Sequence, residues 1–173
     1  HAIAGHPAMV WIETPSNPLL RISDIAQLAA RGKRAGALVV VDNTFLSPAW
    51  QQPLALGADL VVHSTTKYIN GHSDVVGGAV IAGSRELHER IAWWANCIGV
   101  TGAAFDSYLT LRGLRTLHAR MRAHGENAAA VVRLQHFAAS SLLASALPAL
   151  ELPDTRTPWT IDPVLTLARL RTR

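Results

Sequence analysis

Short apolar runs separated by polar stretches dominate the first half of the chain. Four largely apolar runs have the length of strands: residues 9–13, 38–41, 60–63 and 78–82. Because these runs are continuous rather than alternating, they are typical of strands covered on both faces, as in parallel sheets. The sequence therefore predicts a sheet that is buried between helices.

Helical patterns lie between and after these runs. They cover residues 24–35, a short stretch after 47, residues 86–94, and residues 105–134 with a break near Gly125. Ser23 is predicted to cap the first helix, and Gly36 is predicted to end it. This order of strands and helices predicts an α/β fold with a largely parallel sheet.

Polar segments follow three of the predicted strands. They are residues 13–17, 42–44 and 64–67. In open parallel sheets the ligand crevice lies beyond the carboxyl ends of the strands. We therefore expect these three segments to converge on one site.

Lys67 is the most informative polar residue, because it is one of only two lysines among sixteen basic side chains. An amine can lose its proton and act as a Schiff-base nucleophile, which a guanidinium cannot do at physiological pH. The neighbouring hydroxyls of Ser64 and Thr66 suit a phosphate. Asp42, at the end of another strand, suits a protonated pyridine nitrogen, so the set indicates pyridoxal 5'-phosphate. Taken singly, however, a lysine after a strand is more often a solvated charge, and an aspartate there is often a cap.

Four ordered motifs carry a family resemblance. They are Glu13-Thr14-Pro15-Ser16-Asn17-Pro18, Val41-Asp42-Asn43-Thr44-Phe45, Ser64-Thr65-Thr66-Lys67-Tyr68 and Gly71-His72-Ser73-Asp74. With them, about residues 8–135 closely resemble the Cys/Met-metabolism family of pyridoxal-phosphate enzymes. Further motifs at 92–96, 98–102 and 105–117 resemble the bacterial cystathionine γ-synthases within that family.

The resemblance implies the central part of the large domain of a fold-type I, aspartate aminotransferase-like transferase, with helices on both faces of a mostly parallel sheet. Residues 1–135 would form a partial cofactor-binding domain. Residues 136–173 depart from the family pattern and are interpreted as a divergent tail, disordered or frameshifted. We therefore expect the chain to be a partial fragment of such an enzyme.

The resemblance also assigns roles to individual residues. Lys67 would hold the cofactor and move protons at the substrate Cα, while Asp42 would stabilise the protonated ring. Ser64 and Thr66 would anchor the phosphate. Asn17 would contact the phenolic oxygen of the cofactor and the substrate carboxylate, and Thr44 would pack against the pyridine face.

The implied reaction is γ-replacement on an O-acylhomoserine by cysteine, a step of methionine biosynthesis. Cystathionine γ-lyase, cystathionine β-lyase and homoserine-ester sulfhydrylase activities share the same motifs and stay open, as does a catalytically inactive fragment. The family implies a homo-oligomer, a tetramer at full length, whose sites are built from two subunits.

Composition and charge bear on three further questions, namely nucleic-acid binding, metal binding and cellular location. The formal charge of +4 and the pI near 10 raise the question of nucleic acid. The densest basic group is interpreted as a solvated helix face without a nucleic-acid-binding motif; it consists of Arg112, Arg115, Arg120 and Arg122.

The eight histidines show no metal-ligand spacing. Cys97 is the only cysteine and is predicted to be a buried thiol. With neither a membrane-length apolar run nor a signal-peptide pattern, a cytoplasmic location is expected.

Overall fold

The computed structural model describes residues 2–146 of the chain, and its centre is a four-stranded sheet in the order β1-β2-β3-β4. The strands are β1 (Met9–Glu13), β2 (Leu38–Asp42), β3 (Leu60–Ser64) and β4 (Gly78–Ala82). β1, β2 and β3 are parallel, whereas β4 runs antiparallel to β3. The predicted α/β class with a mostly parallel sheet is confirmed.

Four α-helices accompany the sheet in the described residues. They are α1 (Ile25–Arg34), α2 (Ser47–Trp50), α3 (Arg85–Cys97) and α4 (Ala104–Ala146), with 3₁₀ turns at Ala2–Gly5 and Pro53–Leu56. The cap predicted for α1 was wrong by one residue. Asp24 is the N-cap, since its Oδ1 accepts a hydrogen bond from the Gln27 amide at 2.9 Å. The Ser23 amide instead donates to Thr14 Oγ1 at 3.0 Å, which ties the start of α1 to the end of β1.

The apolar core lies between α1 and the sheet. Its buried members are Ile12, Ile25, Ala29, Val39, Val41, Ala58 and Val61. Val39 and Val41 of the central strand β2 are fully buried. Because burying one such side chain contributes about 1.5–3 kcal/mol, this cluster holds the three parallel strands in register. The core therefore fixes the positions of the carboxyl ends of these three strands relative to one another.

Helix α4 is continuous through Gly125, so the predicted break is absent. A glycine inside a helix costs only about 1 kcal/mol relative to alanine, and packing offsets that cost. Leu117, Met121 and Val132 of α4 are buried. The predicted domain boundary at 135 falls within this helix, and residues 147–173 of the predicted tail lie outside the described residues. That division of the chain stays a prediction.

The cysteine prediction was wrong, because Cys97 is exposed at the last position of α3. None of the residues of α3 is buried, so its final turn has no core into which the thiol could pack. None of the helices in residues 2–146 has both the length and the apolar character needed to cross a membrane.

Candidate active site at the carboxyl edge of the sheet

The three parallel strands end at the same edge of the sheet. Glu13, the last residue of β1, is paired in register with Asp42, the last residue of β2. Asp42 is in turn paired with Val62, two residues before the end of β3 at Ser64. The three polar segments that follow these strands therefore begin at one edge, as the parallel topology requires.

Asp42 and Thr44 link the ends of β2 and β3. Asp42 Oδ1 accepts a hydrogen bond from the Thr44 amide at 3.0 Å, and Thr44 Oγ1 accepts one from the Ser64 amide at 2.8 Å. Asp42 is half-buried. Within residues 2–146 its carboxylate makes no ion pair. A half-buried carboxylate of this kind is suited to a cationic group of a ligand.

Lys67 lies in the tight turn that follows β3. The Lys67 amide donates to Ser64 O at 3.3 Å, the Gly71 amide donates to Lys67 O at 2.9 Å, and the Asn70 amide donates to Thr65 O at 2.8 Å. The Lys67 side chain is exposed. In the described part of the chain its amine has no partner, whereas Lys33 Nζ lies 3.2 Å from Asp59 Oδ1. The turn thus fixes the backbone of Lys67, while its amine is exposed and has no partner in the described part of the chain.

The two hydroxyls beside Lys67 differ in their surroundings. Thr66 Oγ1 donates to Gly77 O at 3.2 Å and accepts from the Gly77 amide at 3.0 Å. Among the residues that the structure describes, the Ser64 hydroxyl has no hydrogen bond. Ser64 is therefore ready to donate to an anion, while Thr66 has to exchange its bond to Gly77 O for one.

Asn17 is exposed in the loop that follows β1. Its neighbour Ser16 holds the loop, since Ser16 O accepts from the Leu20 amide at 2.7 Å and Ser16 Oγ accepts from the Arg21 amide at 3.2 Å. The structure gives no hydrogen bond between Asn17 and the other predicted site residues. Asn17 shares their edge of the sheet through its position in the chain, four residues after the end of β1.

His63 is buried on β3, next to the site. Burial lowers the pKa of its imidazole below the ordinary value of 6.5, against the opposing effects of the Asp42 carboxylate and a hydrogen bond to the backbone of Asn43. Nδ1 of His63 has no partner in residues 2–146. The ring lines an apolar cavity of about 530 Å³ together with Asn43 and Thr65. Burial thus favours the neutral form of the His63 ring, and neither Asp42 nor Lys67 is among the residues that line this cavity.

The described residues contain no group of three or more His, Cys, Asp or Glu side chains that could hold a metal ion.

Two of the arginines that the sequence analysis assigned to a solvated face contact residues that follow Lys67. Arg112 is exposed, as a solvated face requires, and its Nη2 lies 2.9 Å from Asp74 Oδ2. Arg120 Nη1 donates to Tyr68 O at 2.7 Å, directly after Lys67 in the chain. The interpretation was therefore wrong for Arg120, which is half-buried. One sequence signal existed: Gly113, inside a helical pattern, is typical of a close backbone approach.

The donor set at this edge fits pyridoxal phosphate. An unpaired amine suits its aldehyde, a half-buried unpaired carboxylate suits its ring nitrogen, and hydroxyls suit its phosphate. Lys67, Asp42 and Ser64 supply these groups in the structure with no competing side-chain partner among the described residues. The fit rests on the chemistry of the donors and on their common edge.

Comparisons with known proteins agree with the cofactor that this donor set suggests. Residues 1–141 match the family described as Cys/Met metabolism PLP-dependent enzymes. The chain is 62% identical over 132 residues to cystathionine gamma-synthase of Escherichia coli K12, covering 76% of this chain and 34% of that protein. It is 54% identical over 134 residues to putative cystathionine gamma-lyase 2 of Caenorhabditis elegans, with coverages of 76% and 34%.

A solved structure shares the fold. The crystal structure of cystathionine gamma synthase from Xanthomonas oryzae pv. oryzae, in complex with aminoacrylate and cysteine, superimposes with a TM-score of 0.76 at 65% identity. The match covers 77% of this chain and 34% of that one. The chain thus spans about a third of the length of the relatives that it matches.

Proposed function

This chain belongs to the Cys/Met metabolism family of PLP-dependent enzymes, and we propose that it carries the lysine-bearing part of the active site of a trans-sulfuration enzyme of the cystathionine γ-synthase type. Bound pyridoxal phosphate supplies an electron sink that stabilises negative charge at the Cα of an amino-acid substrate. The proposal is carried by one observation: an unpaired amine and an unpaired carboxylate lie at the same edge of the sheet, within a matching family region.

Each residue of the site has a separate task in this proposal. The amine of Lys67 would hold the cofactor at its aldehyde carbon and, once free, would take and return the proton of the substrate Cα. The carboxylate of Asp42 would accept a hydrogen bond from the ring nitrogen and favour the protonated form of that nitrogen. The hydrogen bond from the Thr44 amide orients this carboxylate.

The remaining residues hold the cofactor and the substrate. Ser64 and Thr66 would donate their hydroxyls to the phosphate, and Thr44 would contact the pyridine ring. The oxygen of Thr44 accepts a hydrogen bond from the Ser64 amide, which fixes the Thr44 side chain between the two strand ends. Asn17 would donate its amide to the phenolic oxygen of the cofactor and to the substrate carboxylate.

The reaction that we propose is γ-replacement on an O-acylhomoserine. The bond between Cγ and the acyl oxygen breaks, the sulfur of cysteine bonds to Cγ, and the thiol proton leaves with the released carboxylic acid. The products are cystathionine and that acid. High identity to a cystathionine gamma-synthase over 132 residues supports this assignment. As the family resemblance implies, the working protein is proposed to be a homo-oligomer.

A lysine-to-arginine pair tests the cofactor site, because the chain contains only Lys33 and Lys67. The purified 173-residue chain is mixed with pyridoxal phosphate, scanned for a visible absorption band, treated with borohydride, and mapped by peptide mass. We expect the cofactor mass on the peptide that contains Lys67. Lys67→Arg keeps the charge and should abolish the band, whereas Lys33→Arg should leave it unchanged.

Three outcomes of that experiment differ in meaning. A band that survives Lys67→Arg contradicts the assigned role of Lys67. A chain that shows no band and no label is a catalytically silent piece of the family. Labelling restricted to Lys67 supports the site and justifies substrate assays.

A lyase is the second candidate, because the chain is also 54% identical to a putative cystathionine gamma-lyase. Product analysis separates the two activities. With O-succinylhomoserine and cysteine a γ-synthase forms cystathionine, whereas a γ-lyase consumes cystathionine and releases cysteine, a 2-oxo acid and ammonia. Formation of cysteine from cystathionine, with no cystathionine formed in the forward assay, would reverse the assignment.

A further inference from the structure

The turn that carries Lys67 is held to α4 by a side chain far away in the sequence. Arg120, which is half-buried, donates to Tyr68 O at 2.7 Å through Nη1 and to Ile69 O at 3.3 Å through Nη2. Within residues 2–146, neither carbonyl accepts a backbone N–H. Arg120 therefore satisfies two backbone groups of the turn that would otherwise lack a partner in the fold.

Arg120 is itself fixed on its own helix. Its Nη2 also donates to Gly113 O at 2.8 Å, and its Nε donates to Thr116 Oγ1 at 2.9 Å. Four hydrogen bonds thus lock one guanidinium between α4 and the turn. Burial lowers the pKa of Arg120 from its ordinary value, and a guanidinium stays charged near neutral pH.

The backbone of α4 approaches the same turn at Gly113. A Cβ at position 113 would lie 2.9 Å from Asn70 Cα and would overlap the carbonyl oxygens of Ile69 and Asn70. Gly71, at φ +71°, likewise leaves room for the guanidinium of Arg120. The close approach at Gly113 and the hydrogen bonds of Arg120 together hold α4 against the residues that follow Lys67.

We propose that Arg120 is a positioning residue that fixes the backbone of the turn, and so sets where the amine of Lys67 reaches relative to Asp42. This inference rests on the proposed role of Lys67 in holding the cofactor. The lysine side chain is flexible and exposed, so the position of its Cα decides which orientations bring the amine to the cofactor aldehyde. A misplacement of about 1 Å at a reacting group can cost about a hundredfold in rate.

The test compares substitutions of Arg120 with one of Arg122, an exposed arginine on the same helix. The variants are Arg120→Met, Arg120→Lys and Arg122→Met in the full 173-residue chain. Two quantities are measured: the rate at which pyridoxal phosphate is captured on Lys67, trapped by borohydride, and the hydrogen exchange of backbone amides without cofactor. The amides of Asn70 and Gly71 report on the turn, and those of β2 report on the sheet.

We expect Arg120→Met to speed exchange of the turn amides by about ten- to hundredfold, as loss of charge-assisted hydrogen bonds predicts. Exchange in β2 should stay as in the parent chain, and capture on Lys67 should slow by about tenfold or more. Arg120→Lys should restore part of the protection of the turn amides and part of the capture rate, because an ammonium can still donate to Tyr68 O. Arg122→Met should match the parent chain in both measurements.

Two results would overturn the proposal. One is an Arg120→Met variant that equals Arg122→Met in turn exchange and in capture. The other is an equal rise of exchange in the turn and in β2, which would make Arg120 a general stabilising residue. If the parent chain captures no cofactor on Lys67, the proposed function fails, and the exchange measurement alone still decides whether Arg120 holds the turn.

Discussion

Replacing Gly113 by alanine tests how closely α4 approaches the lysine-bearing turn. On an open helix surface this change would stabilise the protein by about 1 kcal/mol, because alanine is the better helix former. At position 113 the added Cβ would overlap two backbone carbonyl oxygens and lie 2.9 Å from Asn70 Cα. Backbone atoms of a tight turn cannot rotate away as the end of a side chain can, so α4 or the turn has to shift.

The magnitude follows from these two opposing effects. Forcing a methyl group into a filled contact costs about 3 kcal/mol, at the upper end for overpacking. Subtracting the gain in helix propensity leaves a net loss of about 2 kcal/mol in the free energy of unfolding. For a chain of this length that loss corresponds to a fall in Tm of roughly 4–8 °C. Thermal unfolding followed by circular dichroism measures it directly.

Gly125→Ala is the matched control on the same helix. There the added Cβ would lie 2.9 Å from Trp50 Cζ2 and 3.2 Å from Cη2, both atoms of a side chain that is 42% exposed. Because that indole can move outward, we expect a change within about 1 kcal/mol of the parent chain. A Gly113→Ala variant that melts at or above the Tm of Gly125→Ala would refute the proposed close contact.

Two further predictions concern pH and salt. Burial lowers the pKa of His63 in the folded chain below 6.5. As the pH falls, the His63 imidazole of the unfolded chain therefore binds a proton before that of the folded chain does. The contribution of neutral His63 to the free energy of unfolding is thus present above pH 6.5 and is lost below it. His63→Leu should flatten the fall in urea stability between pH 7 and pH 5, and an unchanged slope would count against this. Arg112→Met, which removes the half-exposed ion pair with Asp74, should cost at most about 1 kcal/mol and only at low salt. A larger, salt-independent loss would show that this pair is more than a surface contact.

Much of the sheet could be predicted because its strands are locally encoded. Each continuous apolar run became a strand within a residue or two of its predicted ends, since a buried strand needs apolar side chains on both faces. The parallel order of β1, β2 and β3 then brought the polar segments after them to one edge. The location of the candidate site is thus a consequence of pattern and topology together.

Other features depend on contacts that no local pattern contains. The sequence pattern does not show that β4 runs antiparallel to β3. The direction of a strand depends on the segment that connects it to its neighbour and on packing. Ser23 and Asp24 are both good capping residues, and only the bond from Ser23 N to Thr14 Oγ1 decides between them. Cys97 was expected to be buried because free cysteines usually are, yet none of α3 is buried.

The arginines of α4 show most clearly where local reasoning ends. Periodicity placed Arg112, Arg115, Arg120 and Arg122 on one polar helix, and a charged residue without a visible partner is normally solvated. The partners of Arg120 are two carbonyl oxygens about fifty positions earlier, which carry no side-chain signature. The candidate site residues Lys67 and Asp42 lie at or just after strand ends, where sequence patterns reveal them. The groups that hold them in place act through backbone atoms, so only the folded structure reveals them, and Gly113 was the one local sign that α4 comes close.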